Sequence, residues 1–253
     1  IYTLSLHDAL PISIHLGAGG TGSIEGVGDK RLLGAQLTND GTLTIDALLL
    51  AGDGAQIGNR GQLILVDGAA IGEDTAAGGG ASLHNDVDGR ISRAADPQAS
   101  EPRTAEIGLA LESEGALDAS NSELDFTASG VLAGATTATS GALRFRGGHY
   151  TLAPGAELLI SRVLIESGEL QVLVAPEAHQ VFSYEISGGT LALDTAAELP
   201  LFGVNLSGGT LTGQADLALQ GTMLWTGGTL TGTGAFTVRP SASLTLEGAG
   251  DHE

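Results

Sequence analysis

The 253-residue chain contains no cysteine, which excludes a disulfide framework and thiolate chemistry. Basic residues are also scarce: ten Lys and Arg stand against 30 Asp and Glu, and the formal net charge is −20. Because phosphate backbones are bound by clustered basic side chains, nucleic acid is excluded as a partner. Apolar runs are short, and none approaches the ~18 residues of a membrane helix, so we predict no membrane insertion by this segment.

The first twelve residues read IYTLSLHDALPI and match a reading-frame translation of a universal short-read sequencing adapter. A targeting segment is a poorer explanation, because no basic region precedes it and Asp8 and Pro11 interrupt its apolar part. We therefore expect residues 1–12 to be a non-native scar, and residues 13–253 to form one solenoid array truncated at both ends. On that expectation, the terminal coils would make end-to-end contact with missing coils.

Glycine is abundant, with 40 residues, and in the last third of the chain it marks an internal repeat. Three copies of one hexad are spaced by 20 and 19 residues: Ile186–Leu191 (ISGGTL), Leu206–Leu211 (LSGGTL) and Trp225–Leu230 (WTGGTL). A weaker relative, Ile165–Leu170 (IESGEL), lies one period upstream. Periods near 20 residues are typical of solenoids, in which each repeat is one supersecondary unit.

The N-terminal half carries a looser repeat, in which an apolar residue, a polar Asn or Ser, a Gly and a second apolar residue follow one another. Its copies are Leu37–Leu43 (LTNDGTL), Ile57–Leu63 (IGNRGQL), Leu111–Leu117 (LESEGAL) and, with two residues inserted, Leu83–Ile91 (LHNDVDGRI). Taken as one series, the repeat glycines predict coils of about 19–28 residues. They are residues 41, 61, 89, 115, 141, 168, 189, 209 and 228.

Between the repeats, short apolar or alternating stretches of three to five residues predict about three strands per coil, and no helical period with credible caps is present. The fold class is therefore all-β, a parallel β-helix (β-solenoid) whose stacked coils share one core. Asn39, Asn59 and Asn85 occupy equivalent positions, so we expect their side chains to stack as a hydrogen-bonded ladder.

These GGTLTG hexads and Asn-x-Gly-x-Leu turns resemble the passenger repeats of bacterial autotransporter and filamentous-haemagglutinin-type adhesins, over most of residues 14–250. The resemblance implies a right-handed β-helix on the outer surface of a Gram-negative cell, and a host or bacterial surface glycan or protein as partner. It transfers no site residues. The expected function is an extracellular structural or adhesive solenoid segment, not an enzyme. The alternative is a β-helix lyase or glycoside hydrolase acting on polysaccharide.

Two motifs invite a cofactor or metal interpretation, and neither is adopted. Gly17–Gly22 (GAGGTG) has the glycine spacing of a dinucleotide site, but no helical pattern follows to receive the phosphates, so we predict a glycine corner and no cofactor. His84–Gly89 (HNDVDG) lacks the full ligand spacing of a calcium loop and is predicted to be an enlarged corner. The histidines at 15, 84, 149 and 179 have no ligand spacing along the chain, so no metal site is predicted.

Catalysis on this fold would need converging carboxylates, and sugar binding would favour exposed aromatic rings. Acidic residues are too numerous for any pair to be assigned, and no catalytic residue is named; the candidates considered are Glu112, Glu114, Asp118, Glu123 and Asp125. The aromatic side chains of Phe182, Phe202, Phe236 and Trp225 are predicted to pack in the core. The polar segment at residues 92–106 is predicted to leave the solenoid as an inserted loop, which is either a functional protrusion or a tolerated insertion.

Overall fold

The structure, a computed structural model, describes residues 12–94 and 104–248, which form a parallel β-solenoid of about eleven turns. Residues 1–11 of the predicted scar, residues 95–103 of the predicted loop and residues 249–253 lie outside the described residues. Two short 3-10 helices, Thr75–Ala77 and Pro176–Ala178, are the helical elements of the described ranges. The predicted fold class is confirmed.

The first sixteen strands are short, at three to five residues each. They are β1 Ser13–Leu16, β2 Thr21–Glu25, β3 Lys30–Leu33, β4 Gln36–Asn39, β5 Thr42–Asp46, β6 Leu48–Gly52, β7 Gln56–Asn59, β8 Gln62–Leu65, β9 Ala70–Glu73, β10 Ser82–Asn85, β11 Arg90–Arg93, β12 Thr104–Gly108, β13 Ala110–Ser113, β14 Ala116–Asp118, β15 Glu123–Phe126 and β16 Gly130–Leu132.

The later strands are β17 Ala135–Leu152, β18 Glu157–Val172, β19 His179–Ile186, β20 Thr190–Leu193, β21 Leu199–Leu206, β22 Thr210–Gly213, β23 Leu217–Trp225, β24 Thr229–Leu230, β25 Phe236–Val238 and β26 Ser243–Leu246. Among these later strands, β17, β18, β19, β21 and β23 are longer and bend around at least one corner without interruption, whereas the others have two to four residues.

Each turn contributes one strand, or one segment of a longer strand, to each of three faces, which we name A, B and C in chain order. Face A begins β1–β4–β7–β10, face B begins β2–β5–β8–β11, and face C begins β3–β6–β9–β12. All strand pairings in the described ranges are parallel, so each strand lies directly above its equivalent in the preceding turn.

The length of the turns agrees with the repeat spacing over most of the stack. Between hydrogen-bonded partners on successive turns, the sequence separation is 19 for Asp216 with Ala235 and 28 for Asn85 with Ser113. The turn that leads from β9 to β12 is longer, because it contains the predicted insertion. The predicted coil length is therefore confirmed for most turns, and the insertion accounts for the long one.

The repeat glycines occupy different corners, which corrects the single series read from the sequence. Gly41, Gly61, Gly89 and Gly115 lie between faces A and B, and Gly134, not Gly141, continues their column, since a Cβ there would lie 2.2 Å from the Gly115 oxygen. Gly141 lies at the corner between faces B and C.

Gly148 and the late glycines of the hexads form the corner between faces C and A, and all have positive φ, between 64° and 80°; the hexad glycines are Gly168, Gly189, Gly209 and Gly228. Each corner is crowded by the backbone of the preceding turn, so both kinds require glycine for close approach, and the late kind also for its left-handed conformation. The two corners leave the same Gly-x-Leu pattern in the sequence.

The core is a continuous column of inward side chains, because period-two alternation turns every second residue of each strand to the inside. Leu63, Ile71, Leu83, Ile107 and Leu191 are among the fully buried members. In the middle turns, Phe126 and Phe145 stack inside the column and Tyr150 packs against both at a tilt, with ring centroids 5.0–5.3 Å apart. A single turn buries little apolar surface by itself, so the core forms only when successive turns stack.

The predicted asparagine ladder is confirmed on the inner side of face A. The Asn39 amide donates to the Asn59 side-chain oxygen at 2.7 Å, and Asn59 donates to Asn85 at 2.7 Å. Asn85 then donates to the Ser113 hydroxyl at 3.0 Å, where serine ends the series. These side chains are at most 2% exposed, so the ladder satisfies polar groups that would otherwise be buried without partners.

The predicted loop at residues 92–106 is shorter than expected, because the solenoid strands extend into both of its ends. β11 runs to Arg93 and β12 begins at Thr104. The Arg93 guanidinium is buried in an ion pair with the buried carboxylate of Asp67. Polar residues at both ends of the predicted segment therefore belong to strands, and at Arg93 pairing allows the charge to be buried.

Candidate functional site

Outward residues of face C form a charged network in the middle turns. Glu123 and Asp125 lie on β15, Arg144 and Arg146 on β17, and Arg162 on β18. Glu123 accepts from Arg144 at 2.7 Å and from Arg162 at 2.8 Å. Asp125 accepts from Arg146 at 3.2 Å.

The network continues along face C toward later turns. Glu166 lies 3.4 Å from Arg144 and 3.6 Å from Arg146, and Arg162 lies 3.8 Å from Glu185 on β19. Three arginines thus face four carboxylates, so the charges largely neutralise one another. Sequence reasoning named Glu123 and Asp125 but missed their partners, because the arginines lie one and two turns away along the chain.

Asp125 is the perturbed member of this network. Its side chain is buried, and desolvation raises the pKa of its carboxyl, although Arg144 and Arg146 act in the opposite direction. A carboxyl with this perturbation beside arginines is a feature of catalytic sites and also of structural ion-pair networks.

A groove of about 370 Å³ lies on the outer side of face C in the last four turns. Its floor includes Val204 and Met223, and its polar lining supplies hydroxyl, amide and carboxylate groups. The polar lining residues are Ser183, Glu185, Asn205, Thr222, Ser243 and Thr245. Because Glu185 both lines the groove and approaches Arg162, the groove and the charged network form one continuous strip.

Two phenylalanines stand at the edge of this groove, at the corner between faces B and C. The rings of Phe182 and Phe202 are stacked, with centroids 6.2 Å apart and planes inclined by 15°. Phe182 is 71% exposed and Phe202 is 40% exposed. Each directly precedes a groove residue, Ser183 or Gly203. The prediction that both would pack in the core is wrong, because at a corner the alternation breaks and both rings turn outward.

The other two aromatic residues that were predicted to pack in the core, Trp225 and Phe236, do contact it. Trp225 is 7% exposed and belongs to the core, with its indole nitrogen donating to the Gly228 oxygen at 3.2 Å. Phe236 is partly buried and packs against the same core. No signal in the sequence separated the two exposed phenylalanines from these, since all four lie in similar strand contexts.

The glycine-rich and calcium-like motifs are both corners. Gly17–Gly22 joins β1 to β2, the Gly20 amide bonds the Gly17 oxygen at 2.9 Å, and a strand follows where a nucleotide site would need a helix. His84–Gly89 ends β10 and makes an enlarged turn closed by a 2.7 Å bond from the Gly89 amide to the Asp86 oxygen. Both corner predictions are confirmed.

Comparison with protein-family models, curated proteins and solved structures finds no match. Over residues 12–94 and 104–248, no helix has the length and apolar character needed to span a membrane.

Proposed function

We propose that this chain is a structural and adhesive β-solenoid of the outer surface of a Gram-negative cell, and that face C binds a glycan strand. The observation that carries the proposal is the exposed Phe182–Phe202 stack beside a polar groove. Leaving a phenylalanine ring exposed forgoes roughly 1.5–3 kcal/mol of burial. Two such rings placed together therefore favour a binding surface.

The chemistry of the strip suits a sugar chain. Apolar faces of pyranose rings pack on flat aromatic rings, while their hydroxyls need both donors and acceptors. The groove offers the Asn205 amide, several hydroxyls and the Glu185 carboxylate. It crosses four turns spaced by about 4.8 Å, so it suits an extended chain better than a compact molecule.

Binding of the full chain to arrayed glycans and to insoluble cellulose, chitin and xylan tests this function. We expect at least one glycan to retain the protein, and Phe182→Ala and Phe202→Ala each to weaken retention about tenfold, the equivalent of about 1.4 kcal/mol. Val87→Ala, which removes an exposed apolar side chain at a distant corner, is the matched control. Glycan binding on face C would be contradicted if no glycan retained the protein, or if the two phenylalanine variants were retained as strongly as the unsubstituted protein.

A polysaccharide lyase or hydrolase is the second candidate, and the charged network is the observation that favours it. Glu123, Asp125 and three arginines converge on one face, and the pKa of Asp125 is raised by burial. The adhesive function remains the better proposal because Glu123 and Asp125 already pair with arginines. Release of new reducing ends or unsaturated sugars, abolished by Asp125→Asn, would establish the enzyme instead.

A further inference from the structure

A second cluster of polar side chains lies on face A, away from the proposed glycan strip. His84 on β10 is in register with Glu112 on β13, so both side chains leave the same row of the sheet. Asp86 and Glu114 directly follow the ends of these two strands. The Glu114 amide bonds the Asn85 oxygen at 2.8 Å, which holds these two positions side by side. The result is a two-by-two array of one imidazole and three carboxylates.

The ligand atoms of this array converge. One nitrogen of His84 and one oxygen each of Asp86 and Glu114 lie within 4.8 Å of one another. The Glu112 carboxylate lies 3.5 Å from the His84 Nδ1 atom. Zinc binds imidazole nitrogen and carboxylate oxygen at about 2.0–2.2 Å, which needs ligand atoms about 3.3 Å apart. The side chains of His84 and Asp86 are partly exposed and that of Glu114 is exposed, which leaves their χ angles free to rotate toward a shared ion.

The charges of the array are unbalanced. Three carboxylates meet one guanidinium, that of Arg60, whose Nε donates to the Asp86 carboxylate at 3.0 Å. Arg60 is also shared with Asp40, which lies 4.0 Å away on the opposite side. This differs from the network of face C, where three arginines balance four carboxylates.

We propose that His84, Asp86, Glu112 and Glu114 form a binding site for a divalent transition-metal ion of the zinc class. A mixed set of imidazole and carboxylate ligands favours zinc over the hard cations, which prefer oxygen alone. The ion would bridge β10 and β13, two successive turns of the solenoid. Arg60 competes with the ion for Asp86 and sets its affinity.

The chain contains a matched control on the same face. His149 and Glu169 are also in register on neighbouring turns, with the His149 Nδ1 atom 3.3 Å from the Glu169 carboxylate. Their outward neighbours are Thr151 and Gln171, which offer no carboxylate. The two pairs therefore share the histidine–glutamate contact and differ in the second pair of ligands.

The test is calorimetric titration of Zn²⁺ into the metal-free full chain, purified without a histidine tag, with the visible absorption of Co²⁺ as a second readout. We expect one saturable site, with His84→Ala and Glu114→Gln each weakening it by about tenfold or more. His149→Ala should leave the affinity unchanged, and Arg60→Gln should raise it. Circular dichroism of each variant verifies the fold.

Three results would overturn the site. They are the absence of saturable Zn²⁺ binding, equal weakening by His84→Ala and His149→Ala, and tighter binding of Ca²⁺ than of Zn²⁺. None of these outcomes depends on glycan binding, which is measured on other residues and another face.

Discussion

Replacing Asn59 with alanine tests whether the asparagine ladder stabilises the stack of turns. Asn59 is 1% exposed, accepts from Asn39 and donates to Asn85, both at 2.7 Å. Each lost hydrogen bond costs about 0.5–1.5 kcal/mol net. The Asn85 side-chain oxygen would also lose its donor in a buried position, which costs about 1–3 kcal/mol more. We therefore expect Asn59→Ala to lower the free energy of unfolding by about 3 kcal/mol.

The measurement is urea denaturation followed by far-ultraviolet circular dichroism, with hydrogen exchange of the amides of β4, β7 and β10 as a local readout. Asn205→Ala is the control, because that asparagine is exposed on face C, and it should change stability by no more than about 0.5 kcal/mol. Equal effects of the two substitutions would show that the ladder does not stabilise the solenoid.

Two further predictions concern the core. Trp225→Ala should cost about 3–5 kcal/mol in urea denaturation, since the indole packs between the Leu206 and Leu246 positions, whereas Phe182→Ala should cost little; similar losses would contradict the burial difference. Burial lowers the pKa of His179 to about 4, against about 6.5 in the unfolded chain. The unfolded chain therefore binds the extra proton between these values, and stability should fall by about 3 kcal/mol as pH drops from 6.5 to 4. His179→Phe should flatten that part of the pH profile; parallel profiles would refute the assignment.

The repeat pattern by itself determines the fold class, for a physical reason. Each turn meets the same requirements of tight corners, inward apolar side chains and backbone pairing with its neighbours, so one local pattern recurs at the coil period. The asparagine ladder is predicted from the same repeat, because equivalent positions in successive turns lie directly above one another. The usual length of the coils and the near absence of helix are also predictable from the sequence pattern.

Which corner each glycine occupies was decided by the tertiary structure alone. A Gly-x-Leu pattern occurs where the chain passes from face A to face B, where it passes from face C to face A and, at Gly141, where it passes from face B to face C. The series read from the sequence therefore combined glycines from three different corners. Likewise, the outward turn of Phe182 and Phe202 depends on where the alternation breaks at a corner, which strand patterns leave undetermined.

Candidate sites depended on tertiary structure for a related reason. Ligand spacing along the chain is the signal of metal sites in sequences, and of the proposed ligands only Asp86 lies near His84 in the sequence. The solenoid supplies its neighbours from the next turn, far along the chain, through the register of β10 with β13. The charged network of face C arises in the same way, from β15, β17 and β18. In a solenoid, neighbouring surface side chains come from different turns. The repeat in the sequence therefore determines that the turns stack, while the register between strands determines which side chains lie together on the surface.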